Sequence, residues 1–464
     1  MKEQPQANVV FIIADDHRGD AIGAFGSETV QTPVLDRLAA EGTAFRNMHI
    51  FGGLTGALCA PSRACVHTGK SIFRAMIAKD GSGWVHSNTI RPDVCLMPQR
   101  LREAGYRTHA VGKWHNDKAS FARSFEGGDK LFFYGMSDHN KVPVQDFDPS
   151  GAYPQEREYI ASGFSTELFT DAAVGFIENY SEERPFFLHL AYTAPHDPWI
   201  APEPYASMYN KSDISLPANF QSRHPFDNGD LTVRDEKLAA IPRDEDEIRG
   251  HMAAYYAMIS HMDAHIGKVI DALKAKGIYE NTIIVYTADH GLAVGQHGLM
   301  GKQNVYEHSV RIPFILRGPG MARGRQQVEI ASNIDIFPTV AGLCGVEMPA
   351  ETDGVSLLPV VAGEKRGVRD IVCSAYRDVQ RMATDGRWKL IRYYRSRVTN
   401  TGTDTLQLFD LHRDPWETED LSADPACRGE IERLAERLSG WMKAYDDIMA
   451  GVPVFPIAAT EGAL

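Results

Sequence analysis

Six cysteines in 464 residues (Cys59, Cys65, Cys95, Cys344, Cys373 and Cys427), none in a CxxC pair, are too few and too scattered to frame a disulfide scaffold. Long apolar runs are missing as well. No stretch reaches the roughly eighteen residues of a membrane span, so no membrane partner is expected. Positive charge is in deficit, with 48 Lys+Arg against 61 Asp+Glu and a net charge of −13. A general nucleic-acid binder needs the opposite balance, and that class is set aside. If the ligand is anionic, cations must be gathered locally in a pocket. Repeats and low-complexity tracts are also absent. Met1 to Asn8 carries one lysine, one glutamate and no apolar core of a leader. This leads us to expect a cytoplasmic protein, or an exported one if a leader has been removed.

What is present is an ordinary globular balance, 43% hydrophobic and 23% charged residues. The length suits one large α/β unit with an appendage. Asn8–Ala14 and Thr282–Thr287 are continuous apolar runs, as expected of strands covered on both faces. Tyr106–Val111 is a weaker third and Pro185–Ala191 a fourth. Each ends abruptly in ionisable residues: Asp15-Asp16-His17, Asp289-His290, Lys113-Trp114-His115 and His196-Asp197. In an open parallel sheet, ligands bind beyond the carboxyl ends of the strands, so four such endings point to one shared site.

Helical segments fall between the runs. Thr32-Pro33 starts one with Thr as N-cap and Pro at N1, and Met97–Ala104 forms another, stopped by Gly105. Asp244–Lys276 is a long helix with a solvated acidic first turn and Gly277 beyond its end, and Asp335–Cys344 is a fourth. The uncharged stretch 47–62 holds three glycines and a proline and reads as loop. Near residue 370 the texture changes. Arg387–Tyr393 and Gln407–Leu411 read as half-exposed antiparallel strands, followed by a charged amphipathic helix at Arg428–Tyr445. The expected fold is α/β: a doubly wound, mainly parallel sheet domain over 1–370, and a smaller α+β domain over 371–464.

Three motifs fail on inspection. Thr68-Gly69-Lys70-Ser71 lacks the phosphate-loop glycine five residues earlier, where Ala64 stands. Gly318-Pro319-Gly320 with Gly324 has the wrong spacing for a dinucleotide fingerprint. His261 and His265 lie four apart on a helix, but Met262 stands where a metalloprotease carries glutamate, so they read as two helix-surface histidines.

Cys59-Ala60-Pro61-Ser62-Arg63 is more specific. By itself Cys59 reads as a buried thiol or, next, a thiol nucleophile. The pentapeptide, however, resembles the signature of type I sulfatases, in the alkaline-phosphatase superfamily. Asp15-Asp16, Gly112-Lys-Trp-His115, Pro195-His196, Asp289-His-Gly291 and Gly301-Lys302 match that family's remaining site motifs in its order, and Gly386–Ile391 and Leu408–Glu417 resemble its second domain. The resemblance runs over about residues 8–445.

It implies an alkaline-phosphatase-like fold and sulfate-ester hydrolysis by a formylglycine, an aldehyde made from Cys59 by a formylglycine-generating enzyme. The hydrated aldehyde carries two hydroxyls. One attacks sulfur, and the other, deprotonated, collapses to expel sulfate. Asp15, Asp16, Asp289, His290 and residue 59 would hold one divalent metal. Hard carboxylate oxygens suit Ca²⁺ first and Mg²⁺ second; His290 stands where many members carry Asn. Arg63 would orient the diol, Lys113 bind sulfate and His115 act as base. His196 and Lys302 would hold the leaving oxygen, one of them as its acid. Taken singly, Arg63 reads equally as a salt-bridge partner, His196 as a loop histidine, and Lys113 and Lys302 as surface lysines.

The substrate class implied is a sulfate ester, by family prevalence a sugar sulfate. Tyr134, Asp138, His139, Trp199, Arg223 and His224 lie between the motifs, where such enzymes shape the outer pocket, and read equally as plain loop. The motifs set no oligomeric state. A phosphonate monoester or phosphodiester hydrolase of the same superfamily is the nearest rival, disfavoured by Lys113 and His115. A non-catalytic binder of sulfated sugars is the rival from another class.

Overall fold

A computed structural model describes residues 6–78 and 86–455; the readings placed on residues 1–5 and 456–464 lie outside them. Among the described residues, nine strands make the main sheet. They include β1 (Asn8–Ala14), β2 (Thr43–His49), β4 (Arg107–Lys113), β5 (Gly127–Phe132), β6 (Phe186–Ala191), β7 (Thr282–Ala288), β8 (Arg311–Arg317) and β9 (Arg325–Gln327), with β3 (Gly52–Gly53) reserved for a second sheet. The order is β9-β2-β8-β7-β1-β6-β4-β5, and Ala331–Ser332 also pairs with β2. β7, β1, β6, β4 and β5 are mutually parallel, whereas β8 runs antiparallel between β7 and β2. The four apolar runs are thus adjacent strands, and their carboxyl ends lie side by side.

Register explains their lack of alternation. Phe11 pairs with Val285 and His189, and its ring stacks on His189 and meets His67 of α2 (Cys59–Thr68). Ile12, one residue on, pairs with Tyr286 on the opposite face, toward Asp263 of the long helix Glu245–Ala275. Both faces are covered, so both sets of side chains must be apolar.

The helices fall where expected, with local differences. Thr32 precedes α1 (Pro33–Glu41), but its hydroxyl donates to Asp36 (3.0 Å) and accepts from the Gly23 amide (2.9 Å). The Val34 and Leu35 amides instead donate to Asp263, at 2.9 and 2.8 Å, so the cap comes from another helix. Asp244 caps its own helix by accepting from Glu247 N at 2.9 Å. Gly69 ends α2 at φ +61°, a left-handed terminus and not a phosphate loop.

Three readings are corrected. The stretch 47–62 is not one loop. β2 runs to His49, Gly52–Gly53 pairs with Ala375–Tyr376, and Cys59 opens α2. A Cβ at Gly52 would come within 1.9 Å of the Ala375 carbonyl oxygen, so only glycine lets this strand join the smaller sheet. Gln407–Asp410 is buried, and Trp388–Tyr393 is buried beyond Trp388, so neither strand is half-exposed. One face of Trp388–Tyr393 packs toward helix Arg428–Ala444, and the polar alternation on the other reflects internal ion pairs, Lys389 with Glu307 (2.9 Å) and Glu417 (2.7 Å). His261 and His265 are buried, 1% and 5% exposed, because helix Ser165–Asn179 packs across that face. Burial pushes them down to about 3 and about 4.

The smaller sheet orders Thr405–Asp410, Trp388–Tyr393, Gln380–Thr384, Val372–Tyr376 and β3.

His67 yields a stability prediction. Its ring stacks on Trp114 (centroids 4.9 Å apart), neither nitrogen has a partner, and burial followed by the Arg63 charge pushes it down to about 3 from 6.5. Below pH 6.5 the unfolded chain takes up a proton that the folded chain refuses. The stability is therefore complete above 6.5 and declines as pH falls toward 3. His67→Phe should shrink the loss between pH 8 and pH 5 by about 2 kcal/mol, read from urea midpoints at the two pH values.

Candidate active site

The site is built from strand ends and one helix start. Asp15 and Asp16 follow β1, with Asp16 at φ +68°. Asp289 and His290 follow β7, and Lys113 closes β4, with His115 beyond it at φ +63°. The turn after β6 brings His196. Cys59 stands at the amino end of α2, and Arg63 lies one turn on, facing the same strand ends. Positive backbone angles at Asp16 and His115 turn the chain sharply where an extended strand would carry the side chains past the site.

Asp289 is the organising anion. Its Oδ2 accepts from Arg63 Nε (2.8 Å), and its Oδ1 accepts from the amides of Asp16 (3.2 Å) and His290 (3.0 Å). The Arg63 Nη1 also donates to the Lys113 carbonyl at 3.1 Å. Asp16 gathers the opposite charges: Lys302 Nζ at 2.9 and 3.0 Å, His290 Nδ1 at 2.8 Å and His196 Nε2 at 3.8 Å. Lys113 is ion-paired to Asp15 and donates to the Gly135 carbonyl at 2.5 Å. The Cys59 Sγ lies between these groups, 3.1 Å from His290 Nε2 and 3.6 Å from Lys302 Nζ.

Electrostatics follow from burying these charges side by side. Burial, then Asp289 and Cys59, push Asp15 up to about 8. Burial would raise the Cys59 thiol, but Lys113, Lys302 and His290 outweigh it and bring it down to about 5. Burial opposes the charge on Lys302, yet Asp16 and Cys59 keep it far above the ordinary lysine value. His115 is driven well below the ordinary histidine value by burial, then by Lys113 and Arg63. Its ring lies against Gly135, where an added Cβ would come within 2.9 Å of Nε2.

A hard divalent cation fits here. One donor atom from each of Asp15, Cys59, Asp289 and His290 lies within 4.8 Å of the others, and Asp15, Asp16, Cys59 and His196 form a second such group. The buried Asp15 Oδ1 has no hydrogen-bond partner, and so is a carboxylate oxygen left for a ligand.

Asp15, Asp16, Cys59, Arg63, Lys113, His196, Asp289, His290 and Lys302 therefore converge, all buried, and His115 borders the cluster. Lys113 and Lys302 are no surface lysines. The clamp that buries Lys302 escaped the sequence reading: Asp235 lies 3.9 Å from Lys302 Nζ and 2.8 Å from Gln303 Nε2, and Glu236 accepts from the amides of Met300 and Gly301. Arg234 holds Asp197 with two bonds, 2.6 and 2.7 Å, next to His196. The signal in the sequence was the run of four charges Arg234-Asp235-Glu236-Lys237 in an otherwise irregular segment.

Of the residues between motifs, His139 Nε2 donates to the His196 carbonyl (2.9 Å), Tyr134 is an exposed ring bound to Glu158, and Trp199 packs edge-on against His251. Asp138 accepts from the Asn140 amide, and His224 binds the His297 carbonyl. Arg223 is exposed, with its backbone close against Gly298.

A mainly parallel sheet flanked by helices, with acidic and cationic groups at the strand ends, is the mixed α/β architecture of alkaline-phosphatase-like folds. The chain belongs to the Sulfatase family, whose model matches residues 7–346, and the model for the C-terminal part of N-sulphoglucosamine sulphohydrolase matches residues 295–444. It is a sulfatase enzyme. An N-acetylglucosamine-6-O-sulfatase of Bacteroides thetaiotaomicron is 28% identical, the match covering 94% of this chain and 84% of that protein. An arylsulfatase of Clostridium perfringens is 26% identical over 96% of this chain and 98% of its own length. Among solved structures, BT4656 in complex with its substrate D-glucosamine-2-N,6-O-disulfate superposes with a TM-score of 0.78, 25% identity and coverage of 97% and 99%. The phosphonate monoester hydrolase of Agrobacterium radiobacter shares the fold, with a TM-score of 0.74, 22% identity and coverage of 95% and 96%.

Proposed function

We propose that this chain removes sulfate from a carbohydrate sulfate ester, with a formylglycine made from Cys59 and a divalent cation, Ca²⁺ first, held by Asp15, Asp16, Asp289 and His290. The observation that carries the reading is the position of Cys59: at a helix start, with its Sγ 3.1 Å from His290 Nε2 and 3.6 Å from Lys302 Nζ. The sugar sulfates acted on by the N-acetylglucosamine-6-O-sulfatase and bound by BT4656 support the substrate class.

The cation would neutralise the crowded carboxylates and polarise sulfate oxygens. The chain's own groups do the rest. Lys113 and Lys302 place positive charge around a tetrahedral sulfate-ester monoanion, and Arg63, fixed by Asp289, keeps a buried Nη2 without a partner. His115, neutral and with Nδ1 unpartnered, is suited to take the proton of the second hydroxyl. His196 and Lys302 stand on either side of Asp16, and one of them would protonate the leaving oxygen. The His196 ring is oriented by its Nδ1 contact to the Asp197 carbonyl at 2.8 Å, leaving Nε2 for the ester oxygen.

The first test is the mass of the tryptic peptide Asn47–Arg63 from protein co-expressed with a formylglycine-generating enzyme. Replacement of the thiol group by an aldehyde at Cys59 supports the reading. An unmodified thiol from that host rejects it, and rates on matched aryl sulfate and aryl phosphonate esters separate sulfatase from phosphonate hydrolase. A second prediction concerns Gly135. Gly135→Ala should push the His115 ring from its place and lower kcat about 10–100-fold, since a misplacement near 1 Å carries that scale of loss. Unchanged kcat would remove His115 from the mechanism.

A further inference from the structure

A second cluster of metal-ligating side chains lies away from the strand ends, between helix Ser165–Asn179 and helix Glu245–Ala275. Glu167 on the first helix faces His261 and His265 on the second, and one donor atom from each lies within 4.8 Å of the others. Glu167 Oε1 is 3.5 Å from His261 Nε2, and the two imidazole rings meet with centroids 4.6 Å apart.

His261 is 1% exposed, yet among the described residues neither of its ring nitrogens has a hydrogen-bond partner. Phe164 and Tyr205 cover it, with ring centroids at 5.2 and 5.0 Å, and neither ring gives it a hydrogen-bond partner. His265, 5% exposed, leaves Nδ1 unpartnered, and its Nε2 is 3.2 Å from the ammonium of Lys268, an exposed residue whose chain can swing into water. Buried polar groups are nearly always paired, so two imidazoles left open beside a carboxylate call for a ligand. Asp171, one turn beyond Glu167, adds negative charge near His265.

We propose that Glu167, His261 and His265 form a second metal site, for a borderline transition-metal ion of the Zn²⁺ class, that pins the two helices together. Two nitrogens and one carboxylate oxygen match the ligand types that Zn²⁺ takes, and the half-exposed Glu167 lets solvent reach the cluster. Two imidazoles suit Ca²⁺ poorly, so the two metals would sort between the two sites. The helical i,i+4 spacing of His261 and His265 places both on one face, and the facing helix supplies the acid that Met262 does not.

The test is Zn²⁺ titration calorimetry, with Co²⁺ absorption as a second readout, on the full chain saturated with Ca²⁺ and carrying Cys59→Ala, which removes the catalytic thiol as a competing ligand. One equivalent should bind and raise Tm. Glu167→Gln, a change at the helix surface, should weaken binding by at least about 10–100-fold, the range already reached by losing outer partners of a metal ligand. His265→Asn should abolish it, and Lys268→Ala should leave it equal or tighter. In the Cys59-containing enzyme, Glu167→Gln should leave sulfate-ester turnover unchanged. Absence of stoichiometric binding in Cys59→Ala, or equal affinity in Glu167→Gln and His265→Asn, would overturn the proposal.

Discussion

Cys59→Ser is expected to abolish steady-state hydrolysis, with kcat falling roughly 10⁴–10⁶-fold, the scale seen when a member of a nucleophilic unit is removed. The serine would occupy the same place, at the start of α2 within reach of His290 and Lys302, and could accept sulfate once. Its carbon would carry no second hydroxyl, so nothing could collapse to expel the group. Rapid quenching with intact-mass analysis should therefore show at most one sulfate per chain and no further turnover. Sustained turnover by the serine variant would mean that the reaction uses water or another residue directly, and the aldehyde mechanism would fall.

Asp289→Asn should have the next largest effect, on both activity and stability. The amide keeps the shape of the carboxylate but gives up the charge opposite Arg63, which is fully buried and bonded to Asp289 at 2.8 Å. Leaving a buried guanidinium short of its anion costs about 3–5 kcal/mol. The same change removes one carboxylate from the group that would hold the cation, so bound metal, counted by elemental analysis after gel filtration, should drop below one per chain. A denaturation midpoint and metal content equal to the parent's would show that Asp289 neither balances Arg63 nor binds metal. Loss of stability with full metal content would leave only the first role.

Much of this molecule was written in local sequence. Asn8–Ala14 and Thr282–Thr287 are apolar at every position because both faces of a central parallel strand are covered, and that requirement shows without any partner. Helix ends at Gly105, Gly277 and Gly345 were legible because a left-handed terminus selects glycine. The site was legible for a related reason: in a parallel sheet, the residue following each strand is delivered to the same edge, so polar strand ends locate the site from order alone. Asp15, Asp16, Lys113, His196, Asp289 and His290 all follow that rule. Cys59, Arg63 and Lys302 do not sit at strand ends, and only their resemblance to known motifs assigned them.

Tertiary structure decided what local pattern does not carry. A lysine such as Lys302 has the same helical and polar preferences whether solvated or buried. It is buried because Asp235 and Glu236, more than sixty positions away, clamp its loop. The alternation in Trp388–Tyr393 looked like one wet face, but Glu307 and Glu417 cross from elsewhere to meet Lys389. His261 and His265 looked exposed because their own helix gives no reason to bury them; the facing helix does, and it also brings Glu167. In each case the sequence determined the elements and the chemistry at their ends. Charge pairing and burial depended on contacts between residues far apart in the chain, where periodicity and propensity have no reach.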